Sequence, residues 1–282
     1  MDRSRTTKKA AGENSREAKS LNRMNNHYQQ TIDQFTRQAA SFSEAPEIRD
    51  ETAWQLVVEF ADLTAEDDVL DVACGPGILA CACAEIVRRV TGIDITPAMI
   101  ERARDLQARN KQNNLTWHVG DVRSLPFADN SFTVVVSRYA FHHLRNPLQV
   151  LREMKRVCKP SGRVVVIDMA APTNPQQALA LNEMERLRDP SHVRALSASE
   201  LAELFSSAGL ADPVMTSYRL EFALEVVLGG SFPSNGEEGK DAIRALFKES
   251  LHGDSMGLNP RWKDDEIWYS YPIAVLKSTK EG

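Results

Sequence analysis

DDVLDVACGPGILACACAEIVRRVTGIDI, residues 67–95, holds the unit from which the fold is read. DDVLDVACG (67–75) is a short apolar run that ends in a glycine turn. ILACACAEIVRR (78–89) is small and apolar, as in a buried helix, and RVTGIDI (89–95) is a second apolar strand. Strand, tight turn, helix and strand in succession make a βαβ unit with parallel strands and a right-handed crossover.

The alternation continues downstream. Thr96-Pro97 opens a helix through about Asn110, with Pro at its first position. LTWHVGDV (115–122), FTVVVSRYA (132–140) and GRVVVIDMA (162–170) are three more strands. Asn146-Pro147 starts a helix that ends near Lys159-Pro160-Ser161-Gly162. Strands that are continuously apolar belong to a parallel sheet covered on both faces. After residue 170 come a helix at 175–188 and an amphipathic helix, SASELAELFSSAGL (197–210), with a Ser cap and a Gly stop. PVMTSYRLEFAL (213–224) is a strand, SFPSNGEEG (231–239) a loop, DAIRALFKESLHG (241–253) a short helix, and DEIWYSYPIAVLKST (265–279) a last strand. Upstream, residues 46–62 put Ile48, Thr52, Leu56 and Phe60 on one helical face. The expected architecture is α/β: Rossmann-like and doubly wound, with a mostly parallel seven-stranded sheet carrying an antiparallel edge strand. The chain divides into a polar, basic tail (1–24), a helical lid (25–64) and the main domain (65–282), with covering insertions at about 171–197 and 228–262.

Composition narrows the function. The chain has 282 residues, 42% hydrophobic and 26% charged, which is ordinary for a globular protein and excludes wholesale disorder. Lys plus Arg number 34 and Asp plus Glu 39, a net charge of -5, which argues against nucleic acid as partner. Four cysteines without a Cys-x-x-Cys pair give no zinc ribbon and no disulfide framework, so a reducing, cytoplasmic setting is expected. The first 24 residues lack the apolar core of an export signal, and no run approaches the length of a membrane span. No metal-ligand cluster stands out, and a homodimer is left open.

The glycine turn carries the chemistry. Gly75 and Gly77 let the backbone turn tightly and let a ligand lie against bare peptide. Gly75-x-Gly77-x-x-Ala80 also fits the dinucleotide fingerprint formally. Asp71 decides against it, because a carboxylate on the approach to the turn repels a pyrophosphate and suits an ammonium group. Asp94, at the end of the second strand, is placed for ribose hydroxyls, and Asp121, after the third, for an exocyclic adenine amine. An amine, a ribose and an adenine without phosphate describe S-adenosylmethionine.

VLDVACGPG, GIDIT, GDVRSLPF, FTVVVSRYAFHHL and VLREMKRVCKPSGRVVVID resemble, in order, the motifs of class I S-adenosylmethionine-dependent methyltransferases. The resemblance covers about residues 35–210 and is nearest the small-molecule branch with the ubiquinone and menaquinone C-methyltransferases. It implies that Asp71, Ala73, Gly75 and Gly77 hold the methionine part. Asp94, Ile95 and Met99 would hold the ribose and flank the adenine, Asp121 and Val122 would meet the adenine edge, and Arg138 would approach the sulfonium. It implies a small-molecule acceptor, phenolic, quinol or another secondary metabolite, methylated on oxygen or carbon. An RNA or protein acceptor, or cofactor binding without catalysis, stays as an alternative.

The acceptor side is less defined. His142 and His143 follow the fourth strand and are the candidate general bases, with His142 favoured. Asp189-Pro190-Ser191-His192-Val193-Arg194 lies in the first insertion, and His192 and Arg194 are candidates for contact with an anionic or phenolic acceptor. Tyr28, Phe35 and Phe42 belong to the expected lid and are candidates for contact with the acceptor, as is His142. Cys74, Cys81 and Cys83 are expected to be buried small residues, and Trp262, Trp268, Tyr269 and Tyr271 to fill the edge of the core.

Overall fold

A computed structural model of the chain describes residues 26–40 and 51–282. The tail, Phe42, and Ile48 of the first helical pattern lie outside the described residues.

Nine helices and eight strands are described: α1 (26–40), α2 (Glu51–Phe60), β1 (Asp68–Val72), α3 (Ile78–Ala84), β2 (Arg89–Asp94), α4 (Pro97–Asn110), β3 (Leu115–Val119), β4 (Phe132–Arg138), α5 (Pro147–Val157), β5 (Cys158–Met169), α6 (Pro175–Arg188), α7 (Ala198–Ser207), β6 (Val214–Ala223), α8 (Leu224–Gly229), α9 (Gly236–Ser250), β7 (Arg261–Lys263) and β8 (Glu266–Thr279). The main sheet runs β3-β2-β1-β4-β5-β8-β6, with three-residue β7 paired to β8 as an eighth strand. β1 pairs in parallel with β2 and β4, β2 with β3, and β4 with β5. Within this main sheet β8 runs the other way, antiparallel to both β5 and β6.

Alternation along the central strands feeds two cores. Val69, Val90, Val134 and Val165 pack on one face, and Leu70, Ile93, Val135 and Val164 on the other. All five residues of β1 are buried, which explains why it reads as an unbroken apolar run closed by an acid. Burying each such aliphatic contributes about 1.5–3 kcal/mol. The chain winds outward from β1 through β2 to β3, then returns to lay β4 on β1's other side. The carboxyl ends of β1 and β4 therefore face the crevice where the winding reverses, which is where open α/β sheets hold ligands.

Several boundaries differ from the sequence reading. α3 is only seven residues long, because the chain must turn back to start β2 at Arg89. α5 stops at Val157, and Cys158 already pairs with Phe132; Pro160 and left-handed Ser161 form a bulge before Arg163 rejoins the ladder opposite Val134. The loop expected to run through Gly239 ends early. α9 starts at Gly236 with Glu237 and Glu238 in its first turn, where acids favour a helix start. α8 and β7 are additional to the elements that the sequence pattern marks. Tyr269 and Tyr271 are buried in the core as expected, but Trp262 is exposed on three-residue β7. α2 packs Val57 into the core beside α3, so among the described residues of the expected lid only α1 borders the crevice. Among the described residues, no helix is long and apolar enough to cross a membrane.

Candidate active site

The crevice encloses about 920 Å³ of empty space including its open mouth, within the usual size of a small-ligand pocket. Asp71, Ala73 and Gly75 line it from β1 and the following turn, Asp94, Ile95 and Met99 from β2 and α4, and Asp121 and Val122 from beyond β3. Arg138 and His143 line it from β4 and the turn after it, and Tyr28 and Phe35 from α1. Gly77, His142, His192 and Arg194 do not line it.

The floor is a strained turn. Ala73 and Gly75 both have positive φ, 57° and 51°, as does Tyr139 at 57° on the opposite wall. A side chain in that region costs on the order of 1–3 kcal/mol, and such strain gathers at functional sites. Asp94 ties the turn down: its carboxylate accepts from the Gly75 amide at 2.9 Å and from the Thr96 amide at 2.8 Å. Burial nevertheless pushes the Asp94 carboxyl above the usual range, and these amide bonds only oppose the shift. A Cβ at Gly75 would meet no atom within 4 Å, so the bare peptide borders open space.

Asp71 is the unusual group. It is 1% exposed, and its Oδ2 has no hydrogen-bond partner among the described residues. Burial pushes its carboxyl up to about 7; nearby Arg138 pulls it down, while Asp94 adds to the rise. An orphaned buried carboxylate oxygen is costly unless a donor completes it. An ammonium group, a donor and a cation at once, suits that oxygen.

The Asp121 carboxylate lines the crevice already engaged within the chain. Arg123 binds it through Nη2 at 2.6 Å and Nε at 2.9 Å, and its own amide caps the same carboxylate. The Tyr28 ring of α1 lies over the Arg123 guanidinium, 3.6 Å from the ring centroid. This end of the crevice is roofed by a cation–π contact. Nothing in the sequence singled out Arg123, since a base two residues after an acid in a loop reads as a solvated charge.

The histidines divide. His142 sits behind the wall, its Nδ1 2.5 Å from Asp168 Oδ1. Burial opposes its charge, but the Asp168 carboxylate overcomes that and holds the imidazole above its ordinary pKa. His143 lines the crevice instead, with Phe35 edge-on at 4.9 Å between ring centroids. Burial, reinforced by His142, pushes it well below the ordinary value, so it is neutral near pH 7. His192 is buried on Asn182 at 2.8 Å, and Arg194 is exposed and paired with Glu200, so neither reaches the crevice. Cys74, Cys81 and Cys83 are buried; burial raises all three thiols, Cys81 to about 12, out of the range of reactive thiolates.

Residues 70–166 match the methyltransferase domain family. The chain is 38% identical over 156 residues to the methyltransferase YcgJ of Bacillus subtilis, covering 55% of this chain and 62% of that one. The crystal structure of YcgJ superposes with a TM-score of 0.73 at 28% identity, over 82% of this chain and 99% of the other. The demethylmenaquinone methyltransferase of Lactobacillus johnsonii is 29% identical over 177 residues, 55% of this chain and 72% of that relative. Residues 70–166 therefore carry a methyltransferase domain, on the fold that the YcgJ structure shares. By sequence it spans about three fifths of YcgJ and of Escherichia coli YafE, 62% and 61%. S-adenosylmethionine is the cofactor, and the residues present fit it: the unpartnered Asp71 oxygen would take an ammonium group, the Asp94 carboxylate would accept from hydroxyls, and open space lies over Gly75.

Asp94→Ala removes the tie on Gly75 and Thr96 together with the hydroxyl acceptors. Each charge-assisted bond lost in burial costs about 1.5–3 kcal/mol. The expected result is a loss of S-adenosylmethionine affinity of about 10²-fold or more by calorimetry. Affinity equal to that of the parent protein contradicts the ribose assignment.

Proposed function

We propose that this protein transfers the methyl group of S-adenosylmethionine, by in-line displacement, to a small-molecule acceptor that gives up a proton: a phenol, a quinol or a related enol. Asp71, Ala73 and Gly75 seat the methionine part, Asp94, Ile95 and Met99 the ribose and adenine, and Val122 with the Asp121–Arg123 pair the adenine edge. Arg138 borders the sulfonium end. The cofactor supplies a methyl carbon already activated by positive charge, so the chain mainly aligns the partners and excludes water.

The observation that carries this reading is a neutral imidazole and a carboxylate on one largely apolar crevice: His143 and Asp71, with Phe35, Leu79, Tyr139 and Leu144 also lining it. As the acceptor oxygen or carbon attacks the methyl carbon, its proton passes to His143. The C–S bonding pair stays on sulfur, leaving S-adenosylhomocysteine, the methylated acceptor and an imidazolium. An apolar wall and a net charge of -5 favour a small neutral acceptor over a nucleic acid. The relation to a demethylmenaquinone methyltransferase points to the same acceptor class.

The test is incubation with methyl-labelled S-adenosylmethionine and a host metabolite extract, read by mass spectrometry for products that carry the label. His143→Gln is expected to lower labelled product by about 10²–10⁴-fold, the usual contribution of a general base, at unchanged cofactor affinity. Full turnover in that variant removes His143 from the chemistry.

A further inference from the structure

His143 has a second set of contacts behind the crevice wall. Asp189 and Ser191, in the segment after α6, are 2% and 0% exposed. Ser191 Oγ lies 2.6 Å from Asp189 Oδ1 and 3.1 Å from His143 Nδ1. The Ser191 amide donates to the same Asp189 oxygen at 2.8 Å, and Gln38 of α1 donates to the other at 3.1 Å.

Proton counting settles the direction of this chain. Ser191 has one hydroxyl proton. Burial opposes the charge on Asp189, but Arg188 beside it and the hydrogen bonds that the Ser191 amide and hydroxyl donate favour the ionised carboxylate, which only accepts. The hydroxyl proton therefore lies on the short contact to Asp189. Toward His143, the Ser191 oxygen has only a lone pair to offer. The imidazole must carry its proton on Nδ1, and Nε2 is left with its lone pair.

We propose that Asp189 and Ser191 are positioning residues that fix the His143 imidazole in the Nδ1-protonated tautomer, leaving Nε2 bare for a proton from the crevice. This rests on the reading of His143 as the proton acceptor. The pair gives the ring one orientation and one tautomer. As the ring becomes charged, the ionised Asp189 stabilises it through the serine. α1 completes the arrangement at three points: Gln38 holds Asp189, Phe35 packs on the ring, and His27 Nε2 meets the His143 carbonyl oxygen at 2.9 Å. The base is thus assembled only with α1 in place. The segment singled out in the sequence for His192 and Arg194 acts instead through Asp189 and Ser191.

The test is nitrogen-15 NMR of histidine-labelled full-length protein saturated with S-adenosylhomocysteine at neutral pH, with the His143 signals assigned by their loss in His143→Gln. In the parent protein, Nδ1 is expected to be of the protonated type and Nε2 of the bare type. Ser191→Ala loses this pattern and shifts toward the Nε2-protonated form that a free histidine side chain prefers; Ser191→Thr, which keeps the hydroxyl, retains it. On the acceptor found with the labelled extract, Ser191→Ala lowers kcat by about 10²-fold with cofactor affinity unchanged, and Ser191→Thr recovers most of it. A parent His143 protonated on Nε2, or a tautomer untouched by Ser191→Ala, overturns the assignment. Turnover unaffected by His143→Gln sinks the base reading but leaves the tautomer result standing, so the two failures are distinguishable.

Discussion

Asp71→Asn is expected to abolish S-adenosylmethionine binding while making the unliganded protein more stable at pH 8. Both effects come from one buried carboxylate with an unpartnered oxygen. Its folded-state pKa, about 7, lies above the 3.8 of an unperturbed carboxyl, so the folded protein holds that proton more tightly than the unfolded chain does. Stability is then greatest where Asp71 is protonated, falls as pH rises from about 4 to about 7, and is level above that. The loss reaches up to about 4 kcal/mol, since each tenfold change in proton affinity is worth about 1.4 kcal/mol. Asparagine has the same shape and no charge to bury, so the variant escapes that loss. Its thermal midpoint should exceed the parent's at pH 8 and approach it at pH 4. Binding runs the other way. An ammonium group needs the ionised form, so the parent's affinity should weaken by up to tenfold for each pH unit below about 7. The variant has no charge to offer and should bind at least about 10²-fold more weakly, the scale expected when one partner of a buried charge pair is removed. Calorimetry and thermal unfolding across pH 5–8 read both. An asparagine variant that binds normally, or that melts lower at pH 8, refutes this account of the site.

Much of the fold was legible in the sequence because its central strands are buried on both faces. β1, β2, β4 and β5 each announce themselves as apolar runs bounded by Gly, Asp or Pro, and the chain order alone forces them parallel. The acids were legible for the same reason: Asp71 and Asp94 break the apolar run at the carboxyl end of their strands, and both line the crevice. What was not legible depends on contacts between distant segments. Asp121 looks available until Arg123 folds back on it under Tyr28. His142 and His143 are adjacent in sequence, and only the turn Phe141–His143 sends one to Asp168 and the other to the crevice. Asp189 and Ser191 gain meaning from a histidine about fifty residues away, which no local pattern reports. β7 and α8 lie where the sequence offers neither a clear period nor a strong cap.

Gly77 has a packing role that the motif alone does not report, and it leads to the second large expected effect. The resemblance places Gly77 against the methionine part, yet it does not line the crevice. A Cβ there would lie 2.6 Å from Trp117 Cη2 and 2.9 Å from Ala103 Cβ, and its φ is +78°. Gly92, inside β2, faces the same indole: a Cβ would lie 2.4 Å from Trp117 Cζ3. Trp117 is held in turn by Gln107, 2.7 Å from its indole nitrogen, so the ring is not free to swing away. Both glycines therefore leave room for one ring. Gly92→Ala is expected to destabilise by about 1–3 kcal/mol, the usual cost of overpacking a fixed core. Gly77→Ala adds to the same clash about 1–2 kcal/mol for a left-handed alanine. Trp117→Leu empties the space at a cost of its own and separates the two causes. In that background Gly92→Ala should become nearly neutral, a coupling of about 1–3 kcal/mol, while Gly77→Ala should keep its backbone penalty. Chemical denaturation of the three single variants and their combinations measures this directly. Equal rescue of both glycine variants by Trp117→Leu would mean that backbone strain contributes nothing at Gly77, and no rescue of Gly92→Ala would mean that the indole is not what the missing side chain makes room for.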